Sequence, residues 1–363
     1  MKLAQSNILN LNVKKKMTNE IKSRVVGNLG HITLYRPKAL NALTYAMCEE
    51  ITRLLVAWEK DPNIGAVLID GEGERAFCAG GDVILLHDSG KAGDSRAEEF
   101  WRIEYALNEL IHRYSKPYIT LIDGFVMGGG VGLSVHGRLR VAGNATMFAM
   151  PETGIGYFPD VGGTYFLPRL GMEFGQWLGL TGARLDAGQS CHVGVANAYV
   201  PSAHHGELID ALGAAELDGS DGAVANVMIN FVKAPPVCEL IPGAVKAFGE
   251  KTVPAILRAL DNDGSEWAQK QANNIRRKSP LAMCVTFEAL RRGAKMNFKE
   301  VMTQELDISL NFLKTQDFYE GIRAQLIDKD RNPKWSHENV SDVTEPQVQR
   351  LFRKTAKPPQ GFL

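Results

Sequence analysis

The 363-residue sequence predicts an α/β core that gives way to a mainly helical C-terminal region. Two observations carry this reading. Between residues 24 and 136 a strand, a glycine-rich turn and a helix recur, and the unusual loops stand at strand ends, where sites tend to sit. After about residue 203 strand signals nearly vanish and long helical patterns follow one another. At roughly 150 residues per domain, the length suggests about two domains. The division is an N-terminal extension over 1–20, expected to be disordered, an α/β core over 21–205 and a helical region over 206–363.

Residues 24–36 read as two short strands around the turn Gly27-Asn28-Leu29-Gly30. A helix follows Asn41: Met47, Ile51, Leu54, Leu55 and Trp58 recur at helical spacing, and Pro62 lies just beyond the end. Residues 64–70 form a short apolar strand, followed by a glycine-rich stretch containing Phe77 to Asp82. Residues 96–114 form a second helix, with Phe100, Ile103, Leu107, Leu110, Ile111 and Tyr114 on one face. The next strand is 118–123. Five glycines lie between Gly124 and Gly132, and a helix could begin within 131–136. Helical patterns then cover 204–214, 222–232, 243–260, 263–277, 281–295 and 298–313.

Hydrophobic residues are 45% and charged residues 23%, as in ordinary soluble globular proteins. The 41 basic and 41 acidic side chains cancel. That removes the electrostatic case for nucleic acid or an anionic membrane as partner, but leaves room for a small anionic ligand bound by a local patch. No apolar run reaches the ~18 residues of a membrane span. The five cysteines, 48, 78, 191, 238 and 284, form no C-x-x-C pair, so they read as reduced thiols. The expected location is the cytoplasm. The mitochondrial matrix is the alternative if the first 16 residues, with four lysines and no arginine, are a presequence rather than a tail or a region before a start at Met17.

Three motifs are set aside. Gly71 to Ala76 fits G-x-G-x-x-A, but FCAGGD follows it, which starts no helix to hold a pyrophosphate. Ser134 lacks the G-x-S-x-G spacing of a nucleophile elbow. Asp328 to Asn332 begins like a calcium loop but has Pro333 where glycine is required. The adjacent pairs His204-His205 and Cys191-His192 have no partner pair and read as ordinary surface or core residues.

Two glycine clusters remain, 79–82 and 128–132. Each follows a strand and could turn a backbone N–H outward, since glycine lets the backbone approach a ligand without a Cβ in the way. Two such donors converging on one point make an oxyanion hole, and the second could add a helix N-terminus. The alternative is tight turns and close packing. Downstream, Glu152 and Asp160 sit among apolar and glycine residues, eight positions apart. Burial would raise a carboxyl toward the working range of a general base. The competing reading makes Asp160 the N-cap of a helix near Gly162 and Glu152 a surface acid.

The stretches 35–43 (YRPKALNAL), 77–82 (FCAGGD), 127–137 (MGGGVGLSVHG) and 150–170 (MPETGIGYFPDVGGTYFLPRL) resemble, in order and spacing, the crotonase (enoyl-CoA hydratase/isomerase) superfamily. More narrowly, the chain is similar to a branch that hydrolyses short 3-hydroxyacyl-CoA thioesters, and 317–330 and 333–335 look like that branch too. The resemblance covers about residues 20–340. It implies a ClpP/crotonase-like fold of repeated ββα units, with the N–H groups of Gly81 and Gly129 as oxyanion hole. It implies that the coenzyme A nucleotide lies along 36–43, with Arg36, Lys38, Ala39 and Leu40, and beside Ala79, Gly80, Asp82 and Val83. Glu152 matches the superfamily's catalytic Glu, and Asp160 matches an acid that the hydrolases add. Substrate would touch Gly129, Glu152, Asp160 and Glu104, the last being otherwise an ordinary exposed helix acid.

One departure matters. Hydratases of the superfamily carry a second Glu where this chain has Gly132, and water addition wants two carboxylates around one water. The reaction implied is therefore thioester hydrolysis to a free hydroxy acid and coenzyme A, as in valine breakdown. Glu152 would attack the carbonyl or activate a water, and Asp160 would hold the substrate hydroxyl or share the proton transfer. An enoyl-CoA isomerase or weak hydratase, and a non-catalytic acyl-CoA-binding subunit, are the alternatives. No metal or redox cofactor is implied, since coenzyme A is part of the substrate. The superfamily often forms trimers or pairs of trimers, so a homo-oligomer is expected, although the helical half could favour a smaller assembly.

Overall fold

The computed structural model describes residues 18–238 and 244–355. The residues considered for a presequence, 1–16, lie outside the described residues. The chain opens with an antiparallel pair, β1 (Ile21–Val26) and β2 (Leu29–Leu34), joined at Gly27-Asn28. Gly27 has φ +58°, and a Cβ there would stand 2.0 Å from the Gly213 carbonyl oxygen, so the turn needs glycine twice over. Helix α1 (Tyr45–Lys60) buries Met47, Ile51, Leu54, Leu55 and Trp58, the expected stripe. Then come β3 (Ala66–Gly71), β4 (Ala76–Cys78), α2 (Val83–Ala92), α3 (Arg96–His112), β5 (Tyr118–Ile122), β6 (Phe125–Met127), α4 (Gly129–Ser134), β7 (Leu139–Ala142) and β8 (Met147–Ala149). Short helices α5 (Gly163–Phe166), α6 (Met172–Thr181) and α7 (Ala187–Val193) precede the last strand, β9 (Ala198–Tyr199). Helices α8 (His205–Ala214), α9 (Asp221–Met228), α10 (Val253–Asp263), α11 (Glu266–Ile275), α12 (Pro280–Gly293), α13 (Phe298–Phe312), α14 (Gln316–Ile322) and α15 (Glu345–Leu351) complete the described chain.

From β3 onward the strands alternate between two sheets. The larger has the order β1-β2-β3-β5-β7-β9, parallel from β2 onward, and the smaller has the order β4-β6-β8, all parallel. Each repeat therefore places one strand in the large sheet, the next in the small sheet, and then a helix or helical turn. This is the ββα repetition of a crotonase fold. Both faces of the large sheet are covered at its central strands β3 and β5, which is why these read as continuous apolar runs. Along β3, Val67 and Ile69 enter the main core, while Ala66 and Leu68 enter a second cluster roofed by Leu208, Leu212, Val224 and Met228 of α8 and α9. The main core is one cluster running from Ile21 to Leu351, with α12, α13 and α14 packed against α6, α3 and α2.

The motif 71–76 ends β3 and leads into β4, with no helix, so its dinucleotide reading falls. Ser134 lies inside α4, bonded to the Gly130 carbonyl at 2.8 Å. Asp328 and Asp330 are each engaged by Arg323 at 2.7 Å. No helix among the described residues is long and apolar enough to cross a membrane.

Asn41 fastens 36–43 to this frame. Its Oδ1 accepts from the Arg36 N–H at 2.9 Å, and its Nδ2 donates to the carbonyls of Glu72 (3.0 Å) and Ala76 (2.9 Å), with no exposed surface. Asn41→Ala should leave these groups unpaired and lower stability by about 2 kcal/mol. Urea unfolding that leaves the midpoint unchanged would contradict this.

Candidate active site

The small sheet sets the site. Its parallel ladder pairs Val126 with Cys78 and Phe148, and Met127 with Ala149, so three strand ends stand side by side. The residues just beyond them are Gly80-Gly81, Gly128-Gly129 and Glu152. Gly80 (φ +131°) and Gly128 (φ +47°) turn the chain through conformations that L side chains rarely adopt, each just before the glycine whose N–H is to be aimed. The two turns touch: a Cβ on Gly128 would lie 3.1 Å from Gly80 Cα, and one on Gly130 2.2 Å from the Cys78 carbonyl oxygen. Among the described residues, neither the Gly81 nor the Gly129 N–H has a backbone acceptor. Gly129 also opens α4, whose positive end faces the same point.

These turns line a cavity of about 330 Å³, within the range of small-molecule sites. Its other walls are Phe100, Trp101, Tyr157 and Phe318, with Glu104, Glu152, Asp160 and Lys278 as its charged groups. The surface reading of Glu152 is wrong: only 6% is exposed, and its Oε2 is buried without a hydrogen-bond partner. Burial, then the Asp160 charge, pushes its carboxyl well above the usual range, with Lys278 opposing. The exposed reading of Glu104 fails likewise. It is buried, with Oε1 unpartnered, and a Cβ on Gly129 would lie 2.6 Å from that oxygen. Burial and Asp160 push Glu104 well up too.

Asp160 is no helix cap. The N-cap of α5 is Gly162, and Asp160 Oδ2 instead accepts from Tyr105 Oη (2.7 Å) and Tyr157 Oη (3.3 Å). Burial pushes its carboxyl up to about 6 against those bonds. Both tyrosines also meet Ser309 Oγ, on α13. One turn earlier on that helix, the buried Glu305 carboxylate accepts from the N–H groups of Gly162 (2.7 Å) and Thr164 (3.0 Å) and from Thr164 Oγ1 (2.6 Å). Val161, between Asp160 and Gly162, has φ +53°, a strained state for a β-branched residue. Its carbonyl is held by His136 Nε2 at 2.7 Å.

Of the residues expected to line the coenzyme A nucleotide, Ala79, Gly80 and Val83 face the cavity. Leu40 accepts from the Ala79 N–H at 3.0 Å, and the Leu43 N–H donates to the Gly80 carbonyl at 2.9 Å, so 36–43 runs along the first oxyanion turn. Ala39 and Lys38 are exposed there, outside the cavity wall. Arg36 is not a free cation: it pairs with Glu20 at 2.9 Å and donates to the Ala42 carbonyl. Asp82 caps α2 by accepting from the Leu85 N–H at 3.1 Å. Cys78, beside the first turn, has its thiol pushed up to about 12 by burial and offers no thiolate. Reading the sequence missed Tyr105, Tyr157, Glu305, Ser309 and Lys278. Tyr157 stood inside a quoted motif, but the others carried no local signal.

Gly132 is tightly enclosed. A Cβ there would stand 2.6 Å from Asn108 Nδ2 and 2.8 Å from Val161 Cβ, so the place of a second glutamate is filled.

Two backbone N–H groups converging beside buried carboxyls, on strand ends of a ββα spiral, define a crotonase-fold enzyme that works on a polarised carbonyl. The chain belongs to the enoyl-CoA hydratase/isomerase family, whose model matches residues 29–352. It is 43% identical over 351 residues to a mitochondrial 3-hydroxyisobutyryl-CoA hydrolase of Danio rerio, covering 94% of this chain and 91% of that protein. The hydrolase of the same name from Homo sapiens is 41% identical, covering 90% and 86%. Two solved structures are alike in fold at 39% identity. One is a carnitinyl-CoA dehydratase from Mycobacterium thermoresistibile, with a TM-score of 0.88 and coverage of 95% of this chain and 99% of that one. The other is an enoyl-CoA hydratase from Rhodobacter sphaeroides, with a TM-score of 0.81 and coverage of 92% and 97%.

Two outcomes follow. Gly132→Glu should overpack α4 and cost about 1–3 kcal/mol without conferring hydratase activity; a stable variant that hydrates enoyl thioesters would contradict this. Glu305→Ala should lower stability by about 2–3 kcal/mol, read from urea unfolding, because two buried N–H groups lose their acceptor.

Proposed function

We propose that the chain hydrolyses the thioester of 3-hydroxyisobutyryl-CoA, a step in valine breakdown, to the free hydroxy acid and coenzyme A. The observation that carries this reading is the pairing of Glu152 with Asp160 around a cavity closed to a carboxylate at position 132. The curated relatives with this reaction in their names agree with it. The thioester carbonyl would sit between the Gly81 and Gly129 N–H groups, which polarise it and hold the tetrahedral oxyanion. Glu152, as carboxylate, delivers the attack, on the carbonyl itself or through a water. Asp160 holds the 3-hydroxyl of the acyl group, its own place fixed by Tyr105 and Tyr157. Collapse of the tetrahedral intermediate expels the coenzyme A thiolate, which takes up a proton; after direct attack, a water then hydrolyses the Glu152 anhydride to the free hydroxy acid.

The dehydratase and hydratase names of the two solved structures mark the competing reading. Thiol release from 3-hydroxyisobutyryl-CoA, set beside the change in enoyl-thioester absorbance, separates the two. The relatives are mitochondrial by name, so the cytoplasmic expectation gives way to the mitochondrial matrix. A homo-oligomer goes with this reading, and sedimentation of the purified chain checks it.

Glu152→Gln should lower the rate of thiol release by about 10²–10⁴-fold. Asp160→Asn should cost less with isobutyryl-CoA, which lacks the hydroxyl, than with the hydroxyacyl substrate. Wild-type activity should fall on the acid side, where Glu152 and Asp160, both raised by burial, take up protons. Glu152→Gln releasing thiol at the wild-type rate would remove the assignment.

A further inference from the structure

Lys278 is the charge in the site that the reaction has not yet used. Among the described residues lining the cavity it is the one cation, set against Glu104, Glu152 and Asp160. Its ammonium makes no hydrogen bond and no ion pair within 4 Å among the described residues. Its backbone is nonetheless pinned beside the catalytic turn. The Ser279 N–H donates to the carbonyl of Thr153, the neighbour of Glu152, at 3.2 Å. On the other side, the Arg277 carbonyl accepts from Trp335 Nε1 at 3.1 Å. The turn leaves room for the lysine: a Cβ on Gly154 would stand 3.0 Å from Lys278 Nζ, and 3.7 and 3.9 Å from its Cδ and Cε.

Glu152 needs such a neighbour. With Oε2 buried and unpartnered, the acid is driven to its neutral form, which can neither attack a carbonyl nor take a proton from water. A contact ion pair would restore the charge but occupy the oxygens that must react. A cation on the same wall, beyond pairing distance, favours the carboxylate and leaves it free. The other charged groups around this turn do not supply that field. Glu104 and Asp160 oppose it, and Asp317 of α14 is held by Ser279 Oγ and the Ser336 N–H. Glu320 pairs with Arg323, which also holds Asp328 and Asp330. On α12, Glu288 pairs with Arg292 and Arg291 stands over the Phe287 ring, while Glu173 of α6 is exposed.

We propose that Lys278 is the positioning cation of this site, holding Glu152 in its ionised, attack-competent form through space without pairing with it. This rests on the reading of Glu152 as the attacking carboxylate. Lys278 touches no reacting atom; it acts through Glu152.

The test compares wild type, Lys278→Met and Lys278→Arg by thiol release from 3-hydroxyisobutyryl-CoA between about pH 5 and 9. In parallel, Glu152 is titrated directly by NMR in protein labelled with ¹³C at the glutamate carboxyls, its signal assigned with Glu152→Gln. In Lys278→Met the acid limb of kcat/KM should move up by about one pH unit, a roughly tenfold loss at the acid end. Activity should approach wild type at the alkaline end, with KM unchanged. Lys278→Arg should restore the profile, and the Glu152 signal should move with the limb. Lys278→Gln serves if the methionine variant fails to fold. An equal loss at every pH, a change confined to KM, or an unmoved Glu152 signal would overturn the proposal. If wild type releases no thiol while the Glu152 signal still moves in Lys278→Met, the hydrolase reading fails and only the hold of Lys278 on the Glu152 charge stands.

Discussion

The three-stranded parallel sheet of β4, β6 and β8 is the constraint on which the rest depends. Parallel pairing puts the carboxyl ends of adjacent strands in one row, and each strand delivers one component just past its end: the Gly81 donor, the Gly129 donor and Glu152. The ladder's hydrogen bonds thus fix the spacing of groups that lie up to 71 residues apart in sequence. Contact between the two glycine turns leaves no space for side chains, so the donors are held by close backbone packing rather than by loops free to drift.

The second acid is built differently. Asp160 sits on a loop that includes a strained Val161, and such strain persists only where surroundings over-determine it. Here they do. His136 holds the Val161 carbonyl, and Glu305 takes the Gly162 and Thr164 N–H groups. Ser309 bridges the two tyrosines that orient the Asp160 carboxylate. Two of these props come from one turn of α13, so the helical region helps to make the site.

Electrostatics set the remaining demand. Three buried carboxyls in one cavity are pushed toward the neutral state by burial and by one another. The tyrosine hydroxyls answer this at Asp160. Nothing hydrogen-bonded answers it at Glu152 Oε2, which gives a cation without a partner among the described residues, on the same wall, its meaning.

The sequence alone determined the alternation of strand, glycine turn and helix, because the apolar periods and the glycines that positive φ demands are local properties. It also pointed to Gly81, Gly129, Glu152 and Asp160, since glycine clusters and isolated acids in apolar text are visible without neighbours. Tertiary structure decided what each acid is. The same Asp could cap a helix or face a cavity, and only the approach of Tyr105 from α3 and Tyr157 from its own loop removed the first option. Arg36, expected beside the coenzyme A nucleotide, is paired with Glu20, a pairing the sequence does not display. Lys278, in the turn between α11 and α12, and Glu305, on α13, lie more than 120 residues downstream of the acids they serve. Their roles depend on which faces pack together, and that is fixed by burial across the whole core rather than by any pattern along the chain.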